Sequence, residues 1–100
     1  MIKVTVLYGH PADPKAFEKY YAETHIPLVA ETKGILKSEL TKFLPNADGS
    51  APAYYRMAEL YFNEPNEVQQ TMNSTEGKAM ADDLSNFATG GVTIMAGVVD

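Results

Sequence analysis

The sequence predicts an α+β domain of the ferredoxin-like type, with element order βαββαβ, a four-stranded antiparallel sheet and helices on one face. Three observations carry this expectation. Residues 2–8 alternate between two side-chain sets, as a strand does. Residues 13–27 repeat aromatic side chains at helical spacing. Two further strand patterns, residues 35–44 and 54–62, flank a turn-rich segment and precede a second helical region and a last strand.

The first strand places Ile2, Val4, Val6 and Tyr8 on one face and Lys3, Thr5 and Leu7 on the other. Gly9, His10 and Pro11 end it as a loop. Asp13 is then placed to N-cap a helix, with Pro14 at the first position, where a missing N–H costs nothing. Phe17, Tyr20, Tyr21, Thr24 and His25 follow the i, i+3, i+4, i+7, i+8 pattern and share an inner face. Asp13, Lys15, Glu18, Lys19 and Glu23 fall mostly opposite. Pro27 disfavours the α conformation at Ile26, so the helix is expected to bend or break just after His25. Residues 28–33 add a short further turn, and Gly34 marks the exit.

Residues 35–44 read as a second strand with mixed faces. Residues 45–52, P-N-A-D-G-S-A-P, are rich in turn formers and read as an exposed hairpin loop. In the third strand Arg56, Ala58, Leu60 and Phe62 alternate with Tyr55, Met57, Glu59 and Tyr61. Asn63 is expected to N-cap a helix that runs to about Asn73. Thr75 opens another, whose apolar stripe is Gly77, Met80, Leu84 and Phe87, and Gly90-Gly91 closes it. Residues 92–99 are apolar except for Thr93, the pattern of a central strand covered on both faces. The second sheet face carries Thr5, Leu7, Met57, Tyr61, Met95 and Val99 among Lys3, Glu59 and Thr93. That face is too apolar to stay fully wet, and the simplest cover is a two-fold dimer with the sheets face to face.

One hundred residues make a single domain, residues 1–100. A net charge of −5, with the basic residues scattered, argues against nucleic acid as a partner. The absence of cysteine excludes disulfides, thiolate metal sites and cysteine nucleophiles. No apolar run is long enough to span a bilayer, and the first residues are too short and too alternating for a signal peptide. A soluble, cytoplasmic protein is therefore expected, with no membrane partner.

His25 is the main candidate for chemistry. Its near-neutral pKa suits a general acid/base in a pocket between helix and sheet. The architectural reading makes it a helix C-terminal residue bonded to a backbone carbonyl. Either Tyr20 or Tyr21 could orient a substrate oxygen or stabilise an enolate, against a role in packing with a wet hydroxyl. Phe17 reads as core, and Tyr8 as core within reach of the same cavity. His10 reads as a solvated or turn-bound histidine. Two histidines without a carboxylate pair do not make a metal site. One histidine could ligate haem, but nothing else in the chain argues for it, so no cofactor is expected. Asp82 and Asp83 are helix neighbours that do not face each other, hence no acid dyad; Asp83 is expected to hold a helix or loop terminus. Arg56, the sole arginine, is expected in a salt bridge, the alternative being a carboxylate of a dimer mate or of a ligand. No phosphate-loop pattern surrounds Gly90-Gly91.

With these residues in view, the chain resembles the EthD family of the dimeric α/β-barrel superfamily. The resemblance rests on the opening K-V-T-V-L-Y-G-H-P, on F-E-K-Y-Y-A-E-T-H-I-P-L-V from Phe17, and on A-D-D-L-S-N-F before the last strand. It implies a homodimer through the sheet face. It also links the chain to a family named for a gene beside a cytochrome P450 system that degrades fuel ethers such as ethyl tert-butyl ether. Relatives on the same barrel include cofactor-free monooxygenases, muconolactone isomerases, polyketide cyclases and haem-binding proteins, so the fold alone assigns no activity. The expectation is a binding or accessory protein for a small hydrophobic metabolite. Its pocket would be lined by His25 and Tyr21, with Tyr8, Phe17 and Tyr20 among the ligand-binding residues. The alternative is a cofactor-independent isomerase, cyclase or monooxygenase in which His25 moves a proton and a tyrosine, Tyr21 first, stabilises the oxyanion.

Overall fold

Strand pairing follows the alternation read from the sequence. In the computed structural model, which describes residues 1–100, β1 (Ile2–Tyr8) lies between β3 (Arg56–Phe62) and β4 (Val92–Val98), and β2 (Lys37–Lys42) pairs with β3. The sheet order is β2-β3-β1-β4 and every pair is antiparallel. The register aligns Leu40, Ala58, Val6 and Ile94 in one row across the helix side of the sheet, and Ser38, Leu60, Val4 and Ala96 in the next. The ladder between β2 and β3 extends beyond the strand ends: Leu36 N–H donates to Tyr61 O, and Phe43 N–H to Tyr55 O. The expected strand at residues 35–44 is thus shorter as a regular strand but extended in its bonding.

The first helical segment starts as anticipated. The Asp13 carboxylate accepts from the Lys15 and Ala16 N–H groups at 3.1 and 3.2 Å, and Pro14 opens α1 (Pro14–Tyr20). It does not break after His25. Tyr21–His25 form one wide π turn, closed by Ile26 N–H on Tyr21 O, and α2 (Ile26–Glu31) continues from it. The wide turn restarts the bonding pattern, so Pro27 falls in the first turn of α2, where its missing N–H is tolerated.

The same turn corrects the inner face. Residues four apart in an α-helix drift by about 40° around the axis. One extra residue in the turn offsets that drift, and Phe17, Tyr21, His25 and Val29 are all buried while Thr24 is exposed.

Glu64, and not Asn63, occupies the N-cap of α3 (Pro65–Asn73). Ser74 caps α4 (Thr75–Phe87), its hydroxyl accepting from Gly77 N–H. The loop after β1 and the turn after α4 meet backbone to backbone: Gly9 N–H donates to Gly91 O at 2.9 Å, and a Cβ on Gly9 would stand 2.2 Å from Gly90 O. Only glycine fits that approach.

The last strand departs from expectation. β4 is an edge strand with all seven residues exposed, neither central nor covered. Apolarity records what a strand can be packed against and does not say that its own chain supplies the cover. The topology places β4 outside β1, and the buried side chains of the helices gather over β1 and β3. Those side chains form two clusters. One is aromatic and centres on Tyr8, Phe17, Tyr21, Tyr55 and Phe87; the other is largely aliphatic and centres on Val4, Val29, Leu60, Phe62 and Met80.

Candidate functional site

Between the two clusters the helices stand off the sheet and leave a cavity of about 370 Å³. Small side chains make the room: Ala58 and Ala96 occupy the floor beside Val4, Val6 and Leu60, and Val29, Met72, Met80 and Leu84 form part of the roof. The floor crosses all four strands, so the trough spans three strand spacings, about 14 Å. Its ends are Leu40 and Ile94, which line it and yet are 42% and 54% exposed. The volume lies in the range that holds small organic ligands. Among the lining residues only Tyr8, Tyr21 and His25 carry a polar side-chain group, and the Tyr21 hydroxyl oxygen is itself buried.

His25 is 3% exposed and held from α4. Its Nδ1 lies 2.9 Å from Asp83 Oδ2. Asp83 Oδ1 also accepts from the Tyr20 hydroxyl at 2.5 Å and from Asn86 Nδ2 at 3.0 Å. A carboxylate only accepts, so Nδ1 carries the hydrogen, and Nε2 has a lone pair and no protein partner. Burial pushes the His25 pKa below its ordinary value and outweighs the opposing pull of Asp83. The imidazole is thus neutral near pH 7. Burial alone would raise the Asp83 pKa, but hydrogen bonds from Tyr20, Asn86 and His25 prevail and lower it.

The tyrosines are donors and not bases. Burial, partly offset by Arg56, pushes the Tyr21 phenol up to about 12. Burial, followed by the neighbouring Tyr21, raises the Tyr8 phenol further. The Tyr21 hydroxyl is buried without a hydrogen-bond partner, and so is that of Tyr55. Arg56 stands 5.1 Å from the Tyr21 ring centre and pairs with Glu18 of its own chain, through Nε at 2.9 Å and Nη2 at 2.7 Å. The expected salt bridge is thus within the chain, from β3 to α1.

The structure brings Tyr8, Tyr21 and His25 to the cavity. Phe17 and Tyr20 are not among its lining. Phe17 packs in the aromatic cluster, 5.1 Å from Tyr55 and 5.2 Å from Phe87 between ring centres, and Tyr20 stacks on Phe87 while bonding Asp83. His10 lies outside the site, its Nε2–H donating to Pro52 O at 2.7 Å and tethering the hairpin loop. No three His, Asp or Glu side chains converge in a metal-binding group. Asp83, expected to hold a helix or loop terminus, lies mid-helix and bonds Tyr20 and His25; as the partner of His25 it is what sequence reasoning missed. The signal was present: Met80, Asp83, Leu84 and Phe87 follow i, i+3, i+4, i+7, so a carboxylate sits within the apolar stripe and requires a donor.

Comparison with known proteins places this geometry. The family model described as EthD domain matches residues 9–91. An uncharacterized 11.0 kDa protein of the thcB-thcC intergenic region in Rhodococcus erythropolis is 41% identical over 95 residues, covering 95% of this chain and 91% of its own. The crystal structure of an ethyl tert-butyl ether d (EthD) family protein from Bacillus halodurans is 33% identical with a TM-score of 0.93, over 100% of this chain and 99% of that one. At the level of fold alone, a dimeric ferredoxin-like protein of unknown function from Bacteroides fragilis is 14% identical with a TM-score of 0.70, over 98% and 95% of the two chains.

The two buried titrating groups set the acid side of the stability curve. A histidine whose folded pKa is lowered binds fewer protons when folded, so stability is complete above its unfolded value near 6.5 and falls as pH drops below it. Asp83, also lowered, contributes above about 4 and is lost below it. Thermal unfolding followed from pH 8 to pH 3 is expected to show Tm declining in two stages. In His25→Gln the first stage is expected to flatten; an unchanged slope between pH 6.5 and 5 in that variant would place the titration elsewhere.

Proposed function

The chain belongs to the EthD family, whose name refers to ethyl tert-butyl ether, and from that membership we propose that it binds a small hydrophobic molecule between its helices and its sheet. The supporting observation is the cavity itself, about 370 Å³, apolar on nearly every side, with one neutral imidazole presented to it. A role in the breakdown of ethers or other hydrophobic metabolites, as a carrier or accessory protein, fits this chemistry.

A second reading is favoured by one specific feature, the His25–Asp83 hydrogen bond. A carboxylate that fixes the tautomer of a histidine and stabilises its protonated form makes the free nitrogen a usable base. On this reading the protein is a cofactor-independent isomerase, cyclase or monooxygenase acting on an acidic C–H or O–H group. His25 takes the proton at Nε2, and a tyrosine hydroxyl, from Tyr21 or Tyr8, donates to the oxyanion that forms.

The protein acts as a homodimer on either reading, joined through the sheet face away from the helices. Leu7 and Met57 are cross-strand partners there, and Met95 lies opposite Thr5. The far end of that face is polar, with Lys3 paired to Glu59 at 2.8 Å and the Tyr61 hydroxyl bonded to Glu39. Support for a two-fold assembly comes from the dimeric state of a protein with the same fold.

Three measurements test these statements. Ala58→Phe, or the milder Ala96→Leu at the edge, fills the trough; native mass spectrometry against a hydrophobic metabolite panel is expected to show bound molecules on the wild type and none on a folded variant. No retention by the wild type across the panel removes the binding reading. For the enzymatic reading, His25→Gln is expected to lower turnover by about 10²–10⁴-fold with the fold intact; full activity in that variant ends it. Met95→Glu is expected to shift the mass seen by light scattering from dimer to monomer, and a persistent dimer would move the interface off this face.

A further inference from the structure

The binding reading leaves the ligand's polar group undefined, and the geometry around His25 defines it. Asp83 Oδ1 is taken by Tyr20 and Asn86, and Oδ2 by His25. Turning the imidazole over would leave a buried carboxylate short of a donor, so the ring is locked with Nδ1–H toward α4. What the ring can offer a ligand is therefore a lone pair.

Anionic and acceptor-only groups fail on the surroundings. No lysine or arginine lines the cavity, and the nearest guanidinium to Tyr21, that of Arg56, pairs with Glu18. A ligand carboxylate or phosphate would meet a lone pair, with the negative charge of Asp83 behind it and no cation to offset either. An ether or ketone oxygen would set acceptor against acceptor at Nε2. A pure hydrocarbon would fill the trough and leave Nε2 desolvated without a donor. A hydroxyl satisfies the site: its O–H donates to the Nε2 lone pair, and its oxygen sets no like charge against Asp83.

We propose that the ligand is an apolar molecule bearing one hydroxyl group, an alcohol or a phenol, bound with its O–H donated to His25 Nε2 and its hydrocarbon body along the trough between Leu40 and Ile94. This rests on the cavity being a ligand site.

A matched set of rigid probes tests it: naphthalene, 2-naphthol and 2-naphthoate, titrated by calorimetry at pH 7.5. 2-Naphthol is expected to bind about tenfold or more tightly than either of the others. The His25 Nε2 ¹⁵N resonance is expected to move with 2-naphthol and not with naphthalene. The paired replacement of His25→Leu with Asp83→Leu, which leaves no buried charge unmatched, is expected to reduce 2-naphthol to the affinity of naphthalene. Binding of all three probes without preference, or tightest binding of 2-naphthoate, overturns the hydroxyl assignment and leaves the cavity as a ligand site. Binding of none overturns both.

Discussion

One buried hydrogen bond, from His25 to Asp83, joins the two halves of the helical layer. It runs from the π turn after α1 to the middle of α4, and the contact is reinforced by Phe87 packed 4.7 Å from the imidazole centre. A hydrogen bond to a charged group contributes about 1.5–3 kcal/mol, a large share of what a small domain has in hand. Its geometric role is as important. It sets the spacing between α4 and the first helix, and so the height of the roof over Ala58 and Val6. The cavity, the tautomer of His25 and the seat of Tyr20 all follow from the same contact.

The π turn is the backbone device that makes this contact available. Tyr21 and His25 stack with ring centres 5.9 Å apart and planes 16° from parallel. In an uninterrupted α-helix the second ring would be offset by about 40° around the axis from the first. Wide turns of this kind are uncommon and recur at functional sites. Here the turn brings a polar ring onto a face otherwise given to aromatic and aliphatic groups. A proline two residues later lets the helix resume without an unpaired N–H.

Much of this was legible in the sequence. The alternation of Ile2, Val4, Val6 and Tyr8 separated the two faces of β1, though not which of them meets the helices, and Asp13-Pro14 marked the helix start, because both depend on local geometry. The burial of Phe17, Tyr21 and His25 followed from helical spacing. Thr24 did not follow, because a wide turn has no signature in apolar spacing. Asp83 showed in the apolar stripe of α4 as a carboxylate in need of a donor, but the identity of that donor was hidden for a different reason. Its partner lies 58 positions away, and a local reading weighs a charged residue against its helix neighbours alone. The position of β4 also lay beyond local reading, since sheet order is a property of the whole chain. The cavity was anticipated as a place but not as a shape; its extent depends on Ala58 and Ala96 falling in adjacent rows, which register alone decides.

The two borders of the sheet are not alike. β2 carries Lys37, Glu39 and Lys42 along its six residues, the kind of charge that keeps a free strand from recruiting another. β4, V-T-I-M-A-G-V, carries no charge and no proline. Its outer N–H and C=O groups have no strand partner, along a short apolar ribbon that matches the composition of aggregation-prone segments. The molecule is thus polarised across its width, with one guarded border and one adhesive border. Of the two borders, β4 is the one that physical chemistry marks as the liability for edge-to-edge association.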